Sequence, residues 1–174
     1  LLQQEHCLFL GDAWAVLALL GKTLGLLEGP RLDAVYRMSR RDMSQEGMEG
    51  DKKLRGAIIR LGKRCETVLV SNSYEDTARD FLCQLGYDGI FSRCCFSAGK
   101  PGGLEKALND MEPGILQEPR RLLTIGDHAF NDLFPLARLG ARTLWVNPYP
   151  AIHKPPCDGE VATTGELADY LDRL

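Results

Sequence analysis

A chain of 174 residues supports one full hydrophobic core and is short for two ordinary domains. Its formal net charge of −3 and pI near 5.7 argue against a nucleic-acid partner, which would need a basic face. No apolar run reaches the roughly 18 to 20 residues a membrane helix requires; the longest, residues 13–20, runs into Gly21 and Lys22.

The N-terminal part reads as a short strand, Cys7 to Leu10, then a helix from Asp12 to Leu27 and a second helix from Pro30 to Met43, begun by proline at its first turn. A polar, glycine-containing loop spans 43–50. Asp51 to Lys63 follows as an amphipathic helix that buries Leu54, Ile58 and Leu61. From Thr67 onward strands and helices alternate. Thr67 to Val70 is a short β-branched apolar run, as in a parallel strand buried on both faces. Ser71-Asn72-Ser73 read as a helix cap, and Glu75 to Leu85 as the helix, stopped by Gly86.

Ile90-Phe91 and Cys94 to Phe96 look like strand pieces, and Gly103 to Met111 like a helix. Leu122 to Ile125 is a further buried strand ending at Gly126-Asp127. A helix from about Asn131 to Leu139 stops at Gly140, and Thr143 to Val146 is a strand. Residues 147–156 are proline-rich and irregular, and Glu166 to Leu174 closes the chain as a helix. Strand–helix alternation with short links predicts an α/β fold of three layers, α/β/α and Rossmann-like, with a parallel sheet covered by helices on both sides.

The six cysteines include no Cys-x-x-Cys pair, and His6, His128 and His153 lie far apart, so neither a disulfide framework nor a structural zinc site is indicated. Reduced thiols in a cytoplasmic protein are expected. The opening Leu1 to Glu5 lacks the basic start of a signal peptide, and Leu1 in place of Met leaves open an N-terminus farther upstream.

In parallel α/β sheets, ligands bind beyond the C-terminal ends of the strands. Three such ends carry polar groups here. Ser71 and Asn72 place a hydroxyl and backbone N–H groups where a phosphate would be favoured. Lys100, held between Gly99 and Pro101, has the charge to neutralise a phosphate or a neighbouring carboxylate. Asp127 and Asp132 bracket a strand-to-helix turn, so both carboxylates can face one pocket. Mg²⁺ takes hard oxygen ligands and keeps several waters, so one or two carboxylates are enough. Each of these features also has a bland reading as a cap, a solvated lysine or a strand end. Their order along successive βα junctions is what sets them apart.

The sequence Val68-Leu69-Val70-Ser71-Asn72-Ser73, then Gly99-Lys100-Pro101, then Gly126-Asp127-x-x-x-x-Asp132 with Leu139-Gly140-Ala141-Arg142-Thr143 behind it, resembles the haloacid dehalogenase superfamily over roughly residues 50 to 174. These stretches correspond to its second, third and fourth motifs. The resemblance implies a Rossmann-like core, a Mg²⁺ cofactor and phosphoryl transfer through an aspartyl-phosphate. It implies that Ser71, with Asn72, and Lys100 hold the phosphoryl group. Asp127, with Asp132 directly or through water, would hold the metal, and Asn131 would support them.

The superfamily's first motif is altered or missing. Its nucleophile is an aspartate at the end of the first, central strand, and the one counterpart here is Asp12 in Leu8-Phe9-Leu10-Gly11-Asp12-Ala13-Trp14-Ala15-Val16. Trp14 stands where a phosphatase has its acid, and tryptophan cannot relay a proton; Ala15-Val16 replaces Gly-Thr. Three readings stay open. Asp12 is a nucleophile that also contacts the metal; or residues 1–48 are cap helices and the first motif lies upstream; or the domain has lost catalysis and binds a phosphorylated ligand or a protein. A missing central strand would leave backbone groups unpaired in the core, which favours Cys7 to Leu10 as that strand.

The sequence therefore predicts one domain over 1–174, with a small helical cap insertion at about 13–50 over a core at 51–174. The expected activity is Mg²⁺-dependent hydrolysis of a small phosphorylated metabolite, with no nucleic acid or membrane as partner. A binding module and a 2-haloacid dehalogenase-like hydrolase are the alternatives. His128, the Cys94-Cys95 pair, Trp145 and the Arg37, Arg40 and Arg41 face are each explained as well by packing or solvation.

Overall fold

The computed structural model describes residues 21, 23–25, 29–45, 47–147 and 155–174. The chain divides into two compact units, Leu1–Gly47 and Met48–Leu174. The expected Cys7 to Leu10 strand, most of the Asp12 to Leu27 helix, and Asp12 itself lie outside the described residues.

In the first unit, α1 spans Pro30–Gln45, opened by proline as expected and two residues longer than predicted. Tyr36 is half-buried and carries the Arg40 guanidinium over its ring at 5.1 Å. Val35 and Met38 are exposed on the same helix.

The second unit begins with α2, Lys52–Leu61. Asp51 caps it, its carboxylate accepting from the N–H groups of Lys53 and Leu54 at 2.8 and 3.0 Å. Strand β1, Val68–Val70, leads to α3, Glu75–Leu85, which ends at Gly86 in a left-handed conformation. Strand β2, Arg93–Cys95, precedes α4, Leu104–Met111. Next come β3, Leu123–Gly126, a π-helical turn at Ala129–Leu133, and the short α5, Phe134–Ala137. The unit closes with β4, Arg142–Val146, β5, Gly159–Val161, and α6, Thr164–Arg173.

Every described strand pair is parallel. β1 pairs with β2, matching Val68 to Arg93, and β4 lies between β3 and β5, matching Leu123 to Arg142 and Leu144 to Gly159. Among the described residues β1 and β3 share no ladder, so the predicted single sheet is seen as two.

Helices cover both faces. Ile125 packs against a cluster of Leu54 and Ala57 from α2 with Ala168 and Leu171 from α6. Leu122, three residues earlier and so on the opposite face, joins Val70 against a cluster of Leu104, Leu136 and Ala141. The α2–α6 seam is rimmed by the two-pronged Arg60–Asp172 pair, at 2.9 and 2.8 Å, and by Lys53–Asp169 at 2.6 Å. This is the predicted α/β layout of parallel sheets flanked by helices.

Four local expectations are corrected. Ser71 to Ser73 do not cap α3; its N-cap is Tyr74, whose side chain makes no capping hydrogen bond, and the serines shape a loop instead. Ile90-Phe91 is not a strand, because the chain is still turning after Gly89, and β2 starts at Arg93. The helix expected from Asn131 begins earlier and wider, as a π turn in which the Phe134 N–H reaches the Ala129 carbonyl. Pro135 has no N–H to return to the Asn131 carbonyl, so regular α geometry is withheld there. Strand β5 was not anticipated.

Candidate functional site

The site is built at the C-terminal ends of β1 and β3. Beyond β1, the Ser71 N–H donates to the Cys95 carbonyl at 2.8 Å and the Ala98 N–H to the Ser71 carbonyl at 3.0 Å, which joins the loops after β1 and β2. The Ser71 hydroxyl accepts from the Ser73 N–H at 3.1 Å, leaving its own O–H to donate elsewhere. Asn72 is turned toward Lys100: its Oδ1 accepts from the Lys100 N–H at 2.6 Å, and its Nδ2 donates to the Lys100 carbonyl at 3.0 Å. The Lys100–Pro101 peptide is cis.

That grip sends the lysine side chain inward. Nζ donates to the Val70 carbonyl at 2.7 Å and to Asp132 Oδ1 at 2.6 Å, with the two side chains only 14% and 11% exposed. An ammonium has three N–H donors, so one remains for a ligand. The charges of this largely buried pair offset each other, and each partner has further hydrogen bonds, as a buried pair requires.

Asp132 is placed by its own turn. Its Oδ2 accepts from the His128 N–H at 3.2 Å, and its carbonyl accepts from the Thr124 hydroxyl at 2.7 Å. Gly126 makes room for it, since a Cβ there would lie 2.4 Å from Asp132 Cβ and Oδ2. His128 Nδ1 accepts from the Asn131 N–H at 3.3 Å, so the ring proton of a neutral His128 sits on Nε2. Asp127, at the end of β3, is exposed. Its carbonyl accepts from the Trp145 indole N–H at 3.0 Å.

Of the residues named from sequence, Lys100 and Asp132 are brought into direct contact and Asn72 onto the Lys100 backbone. Asp127 stands on the same turn as Asp132, and Ser71 adjoins the Val70 carbonyl that Lys100 grips. Asp12 is outside the described residues. No group of three or more His, Cys, Asp or Glu side chains able to hold a metal occurs among the described residues. Two carboxylates nonetheless suit Mg²⁺, which fills its shell with waters and substrate oxygens. Asp132 keeps lone pairs beyond the two hydrogen bonds above, and Asp127 projects toward solvent, so the donor chemistry fits the ion.

Other features lie apart. A shallow groove lined by Arg55, Ile59, Lys63, Ile90 and Phe91 opens at the N-terminal end of β2, away from these residues. Cys65, Cys83, Cys94, Cys95 and Cys157 are unbridged, and burial pushes the Cys94 thiol above its usual range. No described helix is long and apolar enough to cross a membrane.

No family model matches the sequence, and no curated protein is similar to it. Solved structures are similar in fold. A haloacid dehalogenase-like family hydrolase from Xanthomonas campestris superposes with a TM-score of 0.59 at 16% identity, over 91% of this chain and 65% of its own. YfnB from Bacillus subtilis, a candidate HAD-hydrolase crystallised with magnesium, gives 0.65 at 20% identity, over 98% of this chain and 73% of its own. A candidate β-phosphoglucomutase from Thermotoga maritima gives 0.64 at 16% identity, over 100% of this chain and 84% of its own. The chain thus spans about two thirds of the Xanthomonas hydrolase's length. With parallel strands, helices on both faces and these relatives in fold, the chain has the haloacid dehalogenase-like hydrolase fold.

Proposed function

We propose that this chain is a Mg²⁺-dependent hydrolase of small phosphomonoesters. The observation that carries the reading is the Lys100 ammonium, held between the Val70 carbonyl and Asp132 with one N–H to spare, where Val70 is followed directly by Ser71. A fixed cation, with a hydroxyl donor on the residue after the carbonyl that holds it, suits the oxygens of a phosphoryl group, whose charge is best stabilised by preorganised donors.

In this reading Ser71 and Lys100 hold the phosphoryl oxygens, and Asn72 keeps Lys100 aimed. Asp127 and Asp132 would hold the metal, with Asp127 the more available of the two, because Asp132 is already engaged by Lys100 and the His128 N–H. When bound, Mg²⁺ supplies positive charge that screens the approach of an anionic nucleophile to an anionic substrate. Asp12 is the proposed nucleophile: its carboxylate oxygen forms a bond to phosphorus as the ester P–O bond breaks, and water then hydrolyses the aspartyl-phosphate. With Trp14 in place of a side-chain acid, the leaving alkoxide takes its proton from water.

The test is hydrolysis of para-nitrophenyl phosphate with and without Mg²⁺, wild type beside Asp12→Asn. Turnover that needs Mg²⁺ and vanishes in Asp12→Asn supports the reading. Absent turnover in a folded wild type sinks it. Trp14 and Ala15-Val16, which depart from a phosphatase's first motif, favour a second reading as a non-catalytic binder of phosphorylated ligands. That reading expects phosphate binding, lost in Lys100→Met, without turnover. Halide release from a 2-haloacid would be independent of Mg²⁺ and would leave the Asp127 and Asp132 pair without a metal to hold.

A further inference from the structure

Trp145 is 7% exposed, on the central strand β4 of its sheet. Its backbone is the register partner of Gly126, the last residue of β3. The ladder ends there, so the Asp127 carbonyl lies one residue past the last strand pair. Just beyond β4, the Asn147 N–H is directed to the other neighbour, β5, and bonds to the Val161 carbonyl at 2.8 Å. The indole N–H supplies what the ladder does not, reaching the Asp127 carbonyl at 3.0 Å.

Packing alone does not call for this residue. Phenylalanine or leucine would fill a buried position on a strand, but among the large apolar side chains tryptophan alone brings a ring N–H donor, and it has no second polar group. The rest of the turn is held from within or from close by: His128 takes the Asn131 N–H, Asp132 takes the His128 N–H, and Thr124 holds the Asp132 carbonyl. Asp127 is tied by a side chain from a neighbouring strand. Fixing its carbonyl fixes its peptide plane, and with it the direction in which the carboxylate leaves the backbone.

We propose that Trp145 is a positioning residue for Asp127: its hydrogen bond to the Asp127 carbonyl sets the carboxylate for Mg²⁺ and so sets the affinity of the site for the metal. This rests on the metal-site reading above. Trp145 itself touches neither metal nor substrate.

The test uses the full chain with β-(3-benzothienyl)alanine introduced at position 145 alone, a side chain of nearly the same shape in which sulfur replaces the N–H. Mg²⁺ is titrated calorimetrically, without substrate. Loss of one hydrogen bond of ordinary strength predicts Mg²⁺ binding weaker by about five- to tenfold, with near-ultraviolet circular dichroism close to wild type. Trp145→Phe should weaken binding in the same direction. In the wild type, the Trp145 indole N–H proton resonance should shift on saturation with Mg²⁺, and this measurement needs no variant to fold. Equal Mg²⁺ affinity with and without the N–H, or an indole resonance that stays in place at saturation, would overturn the positioning role alone. A wild type that binds no Mg²⁺ would overturn the metal site and the positioning role together.

Discussion

Asn72 closes its carboxamide on the backbone of Lys100, 28 residues away, accepting from its N–H at 2.6 Å and donating to its carbonyl at 3.0 Å. The contact imitates one rung of a strand ladder between two loops, and it sets the point from which the lysine side chain turns inward. Asn72→Ala should therefore cost about 1 kcal/mol of stability, an ordinary hydrogen-bond contribution. The expected loss in kcat/KM for para-nitrophenyl phosphate is larger, about tenfold, because a displaced lysine no longer faces the phosphoryl group. Asn72→Asp keeps the acceptor and should fall between. Steady-state kinetics beside urea unfolding separates the two effects.

Lys100 and Asp132 form a largely buried pair, so removing one partner strands the other. Asp132→Ala is expected to destabilise the chain by roughly 3 kcal/mol. Lys100→Met combined with Asp132→Leu removes both charges and should be closer to wild type than the single change. Lys100→Arg should not substitute, since a planar fork fits poorly where an ammonium bridges a carbonyl and a carboxylate. Urea denaturation of the four proteins checks the order.

Gly126 is required by a close approach, not by an unusual backbone angle. An added methyl would lie 2.4 Å from Asp132 atoms, nearer than side chains pack, so Asp132 must move. Gly126→Ala is expected to cost about 2 kcal/mol, as overpacking does. It should also lengthen the Lys100–Asp132 contact and weaken Mg²⁺ binding. A melt and a Mg²⁺ titration read the two consequences, and a variant that melts and binds like wild type would contradict both.

Much of this was legible in sequence where local chemistry decides the outcome. The apolar stripe of Leu54, Ile58 and Leu61 announces α2, though Asp51 proves to be its cap and not its first turn, and Val68–Val70 before a polar turn announces β1. Lys100 and Asp132 both sit at βα junctions in the sequence pattern, and their side chains stand 2.6 Å apart. What escaped was decided at long range. Strand β5 is three residues around an exposed Glu160, and its Gly159 pairs with Leu144 of β4. Asn72 looked like a cap residue, and nothing local reveals a partner 28 residues on. Trp145 read as packing, which its burial agrees with, but the indole bond to Asp127 depends on the β3–β4 register. The widened turn at Ala129–Leu133 is hidden in the sequence because Pro135 is equally compatible with the first turn of a regular helix.

Acid should unfold this protein partly through three aspartates. Two hydrogen bonds from Thr143, backbone and hydroxyl at 2.7 and 2.9 Å, hold Asp158 below its ordinary range. The Thr164 hydroxyl does so first for Asp51, and the Arg60 guanidinium for Asp172. A carboxylate depressed in the folded state binds protons more readily when unfolded, so its stabilisation is complete above about pH 4 and is lost as pH falls through the folded value. The melting temperature should therefore drop below about pH 4. Asp158→Asn should start lower at neutral pH and lose less on acidification. An identical acid slope in that variant would remove Asp158 from the account.

Strand β4 has a hydrogen-bonded neighbour on each side and buries Thr143, Leu144 and Trp145 in succession, whereas β1 and β3 are half-buried along their whole lengths. Native proteins open piecemeal, and segments paired on both edges within a packed core open last. Amide deuteration should therefore be slowest along Leu144 and Trp145. Through its indole, the Asp127 turn is anchored to that slow segment. A loop on the surface should thereby share the slow opening of the interior and keep its shape while the helices around it open more often.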